Sequence, residues 1–162
     1  MLDGAWGNAI EVPELRTLNA GLNAELLSGS CASARNCGAG GYNDDTSGSF
    51  QGFVVSQRNG TWATVLPVNF PGGEQILSVS CPSAGNCGAG GQYWDSSGHS
   101  QGFLVSQVSG VWETAVEVPG VGTLNVGCAY VGSVSCPAAG ECSAGGGYQR
   151  RSGSEGFVVS QT

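Results

Sequence analysis

The chain repeats one stretch of sequence three times, and this repeat constrains the fold more than any single motif. Aligned on their cysteines, the copies read LLSGSCASARNCGAGGYNDD from Leu26, ILSVSCPSAGNCGAGGQYWD from Ile76 and VGSVSCPAAGECSAGGGYQR from Val131. A fixed period of about 50 residues is typical of propellers, solenoids and other arrays, in which one unit cannot bury its apolar face alone. We therefore expect one domain over residues 1–162, with repeat one at 26–67, repeat two at 76–119, repeat three at 131–162 and a separate strand within residues 1–13.

Each repeat contains four short runs with the alternating or apolar character of β-strands. In repeat two they are ILSVSC, NCGAGGQYW, QGFLVSQV and GVWETAVEV, joined by the turn sequences PSAG, DSSGHS and SG. No segment has an apolar stripe at helical spacing, and 29 glycines disfavour helix. The sequence thus predicts an all-β fold of tandem four-stranded antiparallel meanders, such as three β-propeller blades. A three-fold β-prism or a β-trefoil is the alternative of the same length.

The order of strand types along the chain predicts which strand completes the last repeat. Residues 4–10 resemble the fourth, Trp-containing strand of a repeat, whereas repeat three stops after its third strand at 156–161. Three blades are fewer than the four to eight of typical propellers. We therefore expect a homodimer in which two chains join head to tail, each first strand completing the partner's last blade, to give a six-bladed ring.

The cysteines predict disulfides across short turns. Six of the seven fall in pairs six residues apart, and each pair encloses a turn sequence: Cys31 and Cys37, Cys81 and Cys87, Cys136 and Cys142. A metal site is the weaker interpretation, because the spacing does not suit zinc and the chain has one histidine. For the unpaired Cys128 we expect a buried, small apolar role, with a link to another chain as the alternative.

Composition favours an extracellular protein and limits its partners. Only 10% of the residues are charged, lysine is absent, and the net charge is −7. Nucleic acid and anionic membranes require clustered basic residues, so neither is an expected partner. The sequence has no apolar run long enough for membrane insertion, and residues 1–10 lack the features of a signal peptide. The disulfide pattern still favours a secreted protein.

A family resemblance supports the same fold. The segments SQRNGTW at 56–62 and SQVSGVW at 106–112 resemble a shortened Asp-box hairpin of sialidase-like propellers, although the aspartate of that motif is missing. The SVSCPSAGNCGAGG core resembles the Cys- and Gly-rich repeats of secreted bacterial propeller-like proteins. The resemblance covers nearly the whole chain and implies the propeller fold, but it implies no activity.

A candidate binding face follows from the meander. The loops between second and third strands should lie together at one end of the array, beside the links between repeats. Aromatic rings beside amide and carboxylate groups suit carbohydrate recognition, because ring faces stack on sugars while polar groups bind hydroxyls. The candidate ligand-binding residues are Tyr42, Asn43, Asp45, Tyr93, Trp94, Asp95, Tyr148 and Arg150.

Alternatives remain for these residues. The tyrosines could pack at strand ends, with the polar residues forming turns. Trp94 is the strongest candidate for a ligand contact, because Asp44 and Gln149 take its place in the other repeats. Trp6, Trp62 and Trp112 recur at the same position of the repeat, which favours a buried anchor instead.

Catalysis is not expected. Asp44 and Asp45 are adjacent, so their side chains diverge in an extended chain, and the single His99 supports no catalytic triad. The sequence thus predicts a non-enzymatic module, without a cofactor, that recognises glycans or proteins at a cell surface. A structural or assembly repeat is the first alternative, and a glycosidase-like hydrolase is the second.

Overall fold

The structure is a computed structural model that describes residues 4–19 and 23–161. Residues 1–3 of the expected first strand and residue 162 of repeat three therefore lie outside the described residues. The described chain is all-β, as the repeat pattern predicts, and it forms three antiparallel sheets of meander strands.

Each sheet corresponds to one repeat. Sheet one contains β1 (Ala24–Ser33), β2 (Asn36–Asp44), β3 (Phe50–Arg58), β4 (Thr61–Trp62) and β5 (Leu66–Pro67). Sheet two contains β6 (Glu74–Ser83), β7 (Asn86–Trp94), β8 (Ser100–Val108), β9 (Val111–Trp112) and β10 (Val116–Glu117). Sheet three contains β11 (Ala129–Ala138), β12 (Glu141–Arg150) and β13 (Gly153–Ser160). Two one-turn helices, α1 (Leu15–Leu18) and α2 (Val121–Leu124), precede sheets one and three.

The expected fourth strand is split in two. In sheet two, β9 and β10 both pair with β8, with Trp112 opposite Gln107 and Val116 opposite Leu104. After β9, the Glu113 N–H donates one more hydrogen bond to the Ser106 carbonyl of β8. The chain then separates from β8 until β10 begins. The outer edge of each complete sheet is therefore a Trp-containing piece followed by an apolar piece.

The three sheets stack face to face through their first strands. Strand β6 packs on sheet one, and β11 packs on sheet two. The core lies between neighbouring sheets, where the side chains of Phe53, Phe103, Ile76 and Val131 are fully buried. Burial of such side chains contributes about 1.5–3 kcal/mol each.

Serine hydroxyls join each sheet to the next in the same way. The backbone N–H groups of Val79 and Cys81 donate to the Oγ atoms of Ser28 and Ser30, at 2.9 and 3.0 Å. One repeat later, Val134 and Cys136 donate to Ser78 and Ser80, both at 3.0 Å. These bonds satisfy N–H groups on the free edge of each first strand, which has a strand partner on one side only.

The three expected disulfides are present. They join Cys31 to Cys37, Cys81 to Cys87 and Cys136 to Cys142, each across the turn between the first two strands of a sheet. The expectation for Cys128 is wrong, because this free cysteine is exposed. It lies between α2 and β11, where its backbone forms an isolated parallel bridge with Ser100 of sheet two.

Residues 4–12 have no regular secondary structure, and every described residue from 4 to 11 is exposed. Trp6 is 100% exposed, whereas Trp62 and Trp112 are half-buried. The expected strand in this region pairs with no strand of the part of the chain that the structure describes, and its role in completing a blade stays a prediction.

Candidate functional site

The main polar cleft lies between sheets one and two, at the end where the second and third strands of sheet one connect. It has a volume of about 460 Å³. The turn after β2 contributes Asp45 and Ser49, and the start of β3 contributes Phe50 and Gln51. Residues 67–74, from the end of β5 to the start of β6, form the other wall. The cleft therefore combines the aromatic rings of Phe50 and Phe70 with carboxylate, hydroxyl and amide groups.

The cleft is open because the link between sheets one and two is short. Between sheets two and three the link is longer and includes α2, and Asn125 donates to the Ser100 carbonyl and to Oε1 of Gln101. Gln101 is consequently 8% exposed. Asn69 in the shorter link makes no such hydrogen bond to residues 50 and 51, and Gln51, at the position equivalent to Gln101, is exposed.

Two further rings pack against Phe50, which lines the cleft. The ring of Phe50 packs edge-on against Tyr42, with centroids 4.9 Å apart, and lies 5.5 Å from the ring of Trp94. All three rings are half-buried. The backbone of Gly73 accepts a hydrogen bond from the Trp94 N–H at 3.0 Å, which fixes the end of β7 beside the cleft wall.

Asp45 and Asp95 organise the turns. Oδ1 of Asp45 accepts from the N–H groups of Ser47 and Ser49 at 2.7 and 2.9 Å. Oδ1 of Asp95 makes the equivalent bonds with Ser97 and His99. Hydrogen bonding from Ser47 holds the pKa of Asp45 below its usual value, and the bond from Gln101 does the same for the pKa of Asp95. Both carboxylates are thus committed to local structure, although Asp45 also lines the cleft.

Glu74 forms a buried, titratable part of the cleft wall. Its side chain is 3% exposed and accepts a hydrogen bond from the Phe70 N–H at 3.4 Å. Burial raises its pKa from the usual 4.5 to about 7, and the backbone bonds from Phe70 and Gly52 oppose this shift only in part. The carboxyl group therefore changes charge near neutral pH.

Replacing Glu74 by Gln is expected to stabilise the protein at pH 8 and leave its stability unchanged at pH 4. The unfolded chain ionises this carboxyl above pH 4.5, whereas the folded chain does so only near pH 7, so the wild-type protein loses stability across this window. The full shift corresponds to about 3 kcal/mol. Urea unfolding at both pH values, with disulfides intact, measures the difference, and Glu113→Gln at an exposed position is the control. An equal difference at pH 4 and pH 8 would contradict the assignment.

The structure places only some of the sequence-predicted residues around the cleft. Asp45 lines it, whereas Tyr42 and Trp94 lie behind the lining and contact the ring of Phe50. Asp95 follows Trp94 in the chain. Asn43 is 1% exposed and donates to the Leu18 carbonyl, so it supports the fold from inside.

The remaining candidates lie elsewhere. Tyr93 is 8% exposed, stacks on Phe70 with centroids 4.2 Å apart, and donates to Oε2 of Glu117 at 2.6 Å. Burial raises the pKa of its hydroxyl. Tyr148 packs in the core between sheets two and three, and Arg150 is exposed, 3.8 Å from Glu155. None of these three lies at the cleft, and their proposed contact with a ligand stays a prediction.

Phe50 is one of several cleft residues that the sequence reasoning missed. Its equivalents are Ser100 and Ser154, so an aromatic ring occurs at this position in one repeat only. Trp94 was predicted as a contact because an aromatic residue occurs at its position in one repeat only. The same comparison, made at every aligned position, also identifies Phe50.

No protein-family model matches the chain, and no curated protein is similar to it. Within residues 4–19 and 23–161, no three His, Cys, Asp or Glu side chains are grouped to hold a metal ion. In the same part of the chain, no helix has the length and apolar character needed to cross a membrane.

Proposed function

We propose that this protein is a secreted, non-enzymatic recognition module of the β-propeller type, whose cleft between sheets one and two binds glycans. Three intrachain disulfides fit an extracellular protein. The face-to-face stacking of three antiparallel meander sheets supports the blade arrangement over a prism or trefoil.

The observation that carries the glycan proposal is the open cleft with Phe50 at its wall. A sugar ring presents an apolar face that stacks on an aromatic ring, and hydroxyl groups around its edge that bind amides and carboxylates. Phe50 supplies the ring, and Gln51, Asn69 and Asp45 supply the polar groups. The equivalent space between sheets two and three is covered by Asn125, so we expect one site in each chain.

Binding of the labelled, non-reduced protein to a broad glycan array tests this proposal. Phe50→Ser and Trp94→Gln introduce the residues found at the equivalent positions of repeat three, so both variants should fold. We expect Phe50→Ser to weaken binding about tenfold or more, because a lost stacking contact in a small site contributes roughly 1.4 kcal/mol. Trp94→Gln removes the ring that packs against Phe50, so we expect it to weaken binding less.

The matched control is Tyr130→Gln. This change removes an aromatic ring that is 45% exposed on sheet three and introduces the residue of repeat two, Gln75. It should leave glycan binding unchanged. An array without reproducible hits, or hits that Phe50→Ser does not weaken, would overturn the glycan proposal and favour an assembly or protein-binding role.

A further inference from the structure

The two outer faces of the sheet stack differ in a way that makes them complementary. On sheet three, the hydroxyls of Ser133 and Ser135 are exposed, at the positions where Ser28, Ser30, Ser78 and Ser80 accept bonds from the next sheet. On sheet one, Gly29 and Cys31 are exposed, at the positions of the donors Val79 and Cys81. One end of the stack therefore presents the acceptors and the other end presents the donors of the same interface.

Apolar side chains show the same pattern. Leu26 on sheet one is 46% exposed, although its equivalents Ile76 and Val131 are fully buried against the preceding sheet. Val158 on sheet three is 89% exposed, although its equivalent Val54 is 1% exposed. Each end face thus exposes residues of a type that the internal interfaces bury.

Within residues 4–19 and 23–161, no strand pairs with the outer edge of β13, and residues 6–13 carry the sequence of such a strand. They read WGNAIEVP, and residues 112–119, which include β9 and β10, read WETAVEVP. In sheet two, Val116 pairs with Leu104 and Glu117 pairs with Phe103. The same register would pair Ile10 with Val158 and Glu11 with Phe157.

A cavity marks the place for the tryptophan of this segment. In sheet two, Trp112 packs on the core between sheets one and two, and its Nε1 donates to Oγ of Ser56 at 3.1 Å. Between sheets two and three the equivalent space is a mainly apolar cavity of about 270 Å³, lined by residues that include Ser106, Leu104 and Val159. Ser106 is the equivalent of Ser56, so Trp6 in this position would find the same hydroxyl.

Within a single chain, residues 10–13 do not lie at the edge of sheet three. The carbonyl of Pro13 accepts a bond from the Val65 N–H, and residues 10–13 lie beside Leu26, Val55 and Trp62 on the outer side of sheet one. That side faces away from sheets two and three. Residues 4–11 are exposed there, with Trp6 fully exposed.

The residues on the two end faces of the stack are also complementary in size. A Cβ on Gly88 would lie 2.9 Å from Sγ of Cys136 and 3.2 Å from Cγ1 of Val134, so the internal interface requires glycine there. Sheet three has Ser143 at this position, and sheet one has Gly29 where the following sheets have Val79 and Val134. The additional side chain of Ser143 on sheet three would therefore lie opposite Gly29 on sheet one, where the larger valine is absent.

We propose that two copies of this chain bind head to tail, and that residues 6–13 of each copy complete sheet three of the other. Sheet one of each copy then stacks on sheet three of its partner, so the two identical interfaces close a ring of six sheets. This inference rests on the blade arrangement proposed above and is independent of glycan binding. A two-copy protein that binds no glycan, or a single-copy protein that does, would separate the two proposals.

Disulfide trapping tests the register. Ile10→Cys and Val158→Cys are combined with Cys128→Ser, which removes the exposed free thiol, and the protein is oxidised gently. We expect a non-reducing gel to show one product of two copies. A crosslink within single chains, a ladder of larger products or no crosslink would overturn the proposal. Ile10→Cys with Val108→Cys is the matched control, since Val108 is exposed on sheet two and is expected to give no crosslink.

Light scattering on the unmodified protein provides a second measurement. We expect twice the mass of one chain, and we expect Trp6→Ala to weaken association at least tenfold. Truncating a wholly exposed side chain has little effect on the stability of a single chain, typically within about 0.5 kcal/mol. A single-chain mass for the wild-type protein, or unchanged association of the Trp6→Ala variant, would contradict the proposed interface.

Discussion

Reducing the three disulfides is expected to lower the free energy of unfolding by about 6 kcal/mol and leave the protein largely unfolded at room temperature. Each bridge closes a loop of about seven residues, which contributes roughly 2 kcal/mol by limiting the entropy of the unfolded chain. The total approaches the whole stability of a typical domain, about 5–15 kcal/mol. Urea unfolding followed by circular dichroism, with and without a reductant, measures the loss.

The position of each bridge provides an internal control. Cys81 and Cys87 are 7% and 6% exposed in the core between sheets one and two, whereas Cys31 is exposed on the outer face of sheet one. Replacing Cys81 and Cys87 together by serine should therefore destabilise the protein more than replacing Cys31 and Cys37. A fully reduced protein with an unchanged unfolding midpoint would show that the bridges contribute little.

Gly91→Ala is expected to lower the free energy of unfolding by at least about 3 kcal/mol, or to prevent folding. A bulge between β6 and β7, near Ile76 and Ser78, brings the Gln75 carbonyl onto Gly91. A Cβ on Gly91 would overlap the oxygen of that carbonyl, and backbone atoms cannot move aside as a side chain can. The same close approach occurs at Gly41 and Gly146, so it belongs to the architecture of every repeat.

Gly156→Ala is the matched control for this experiment. Gly156 also lies in a strand, but the nearest atom to its Cβ would be the Gly146 carbonyl oxygen at 3.7 Å, an ordinary contact. Chemical unfolding of both variants compares them directly. A Gly91→Ala protein as stable as the Gly156→Ala protein would contradict the proposed role of the bulge.

The elements that the sequence predicted well are those fixed by local chemistry. Period-two alternation and turn residues identified the first three strands of each repeat, and six-residue spacing identified the disulfides. The fourth strand was predicted as continuous, yet it is two short pieces in sheets one and two. Strand pairing at a sheet edge depends on neighbouring backbone, which residues 112–117 do not encode by themselves.

The candidate site was predicted less completely, and alternation along β2 and β7 explains part of the reason. Tyr42 lies five residues after Cys37, whereas Tyr93 lies six residues after Cys87. Because successive side chains point to opposite faces of a sheet, Tyr42 packs against Phe50 while Tyr93 is buried against Phe70. Treating the two tyrosines as equivalent concealed this difference.

The repeat by itself determined the fold class, the number of sheets and the disulfide pairing, because each follows from contacts close in sequence. Tertiary structure alone decided where a cleft opens and which surfaces remain uncovered. The short link at 69–73 leaves Gln51 exposed, while Asn125 covers Gln101, and this difference depends on how neighbouring sheets pack. Exposure of Leu26 and Val158 likewise follows from their place at the ends of the stack, since equivalent residues inside it are buried by the next sheet.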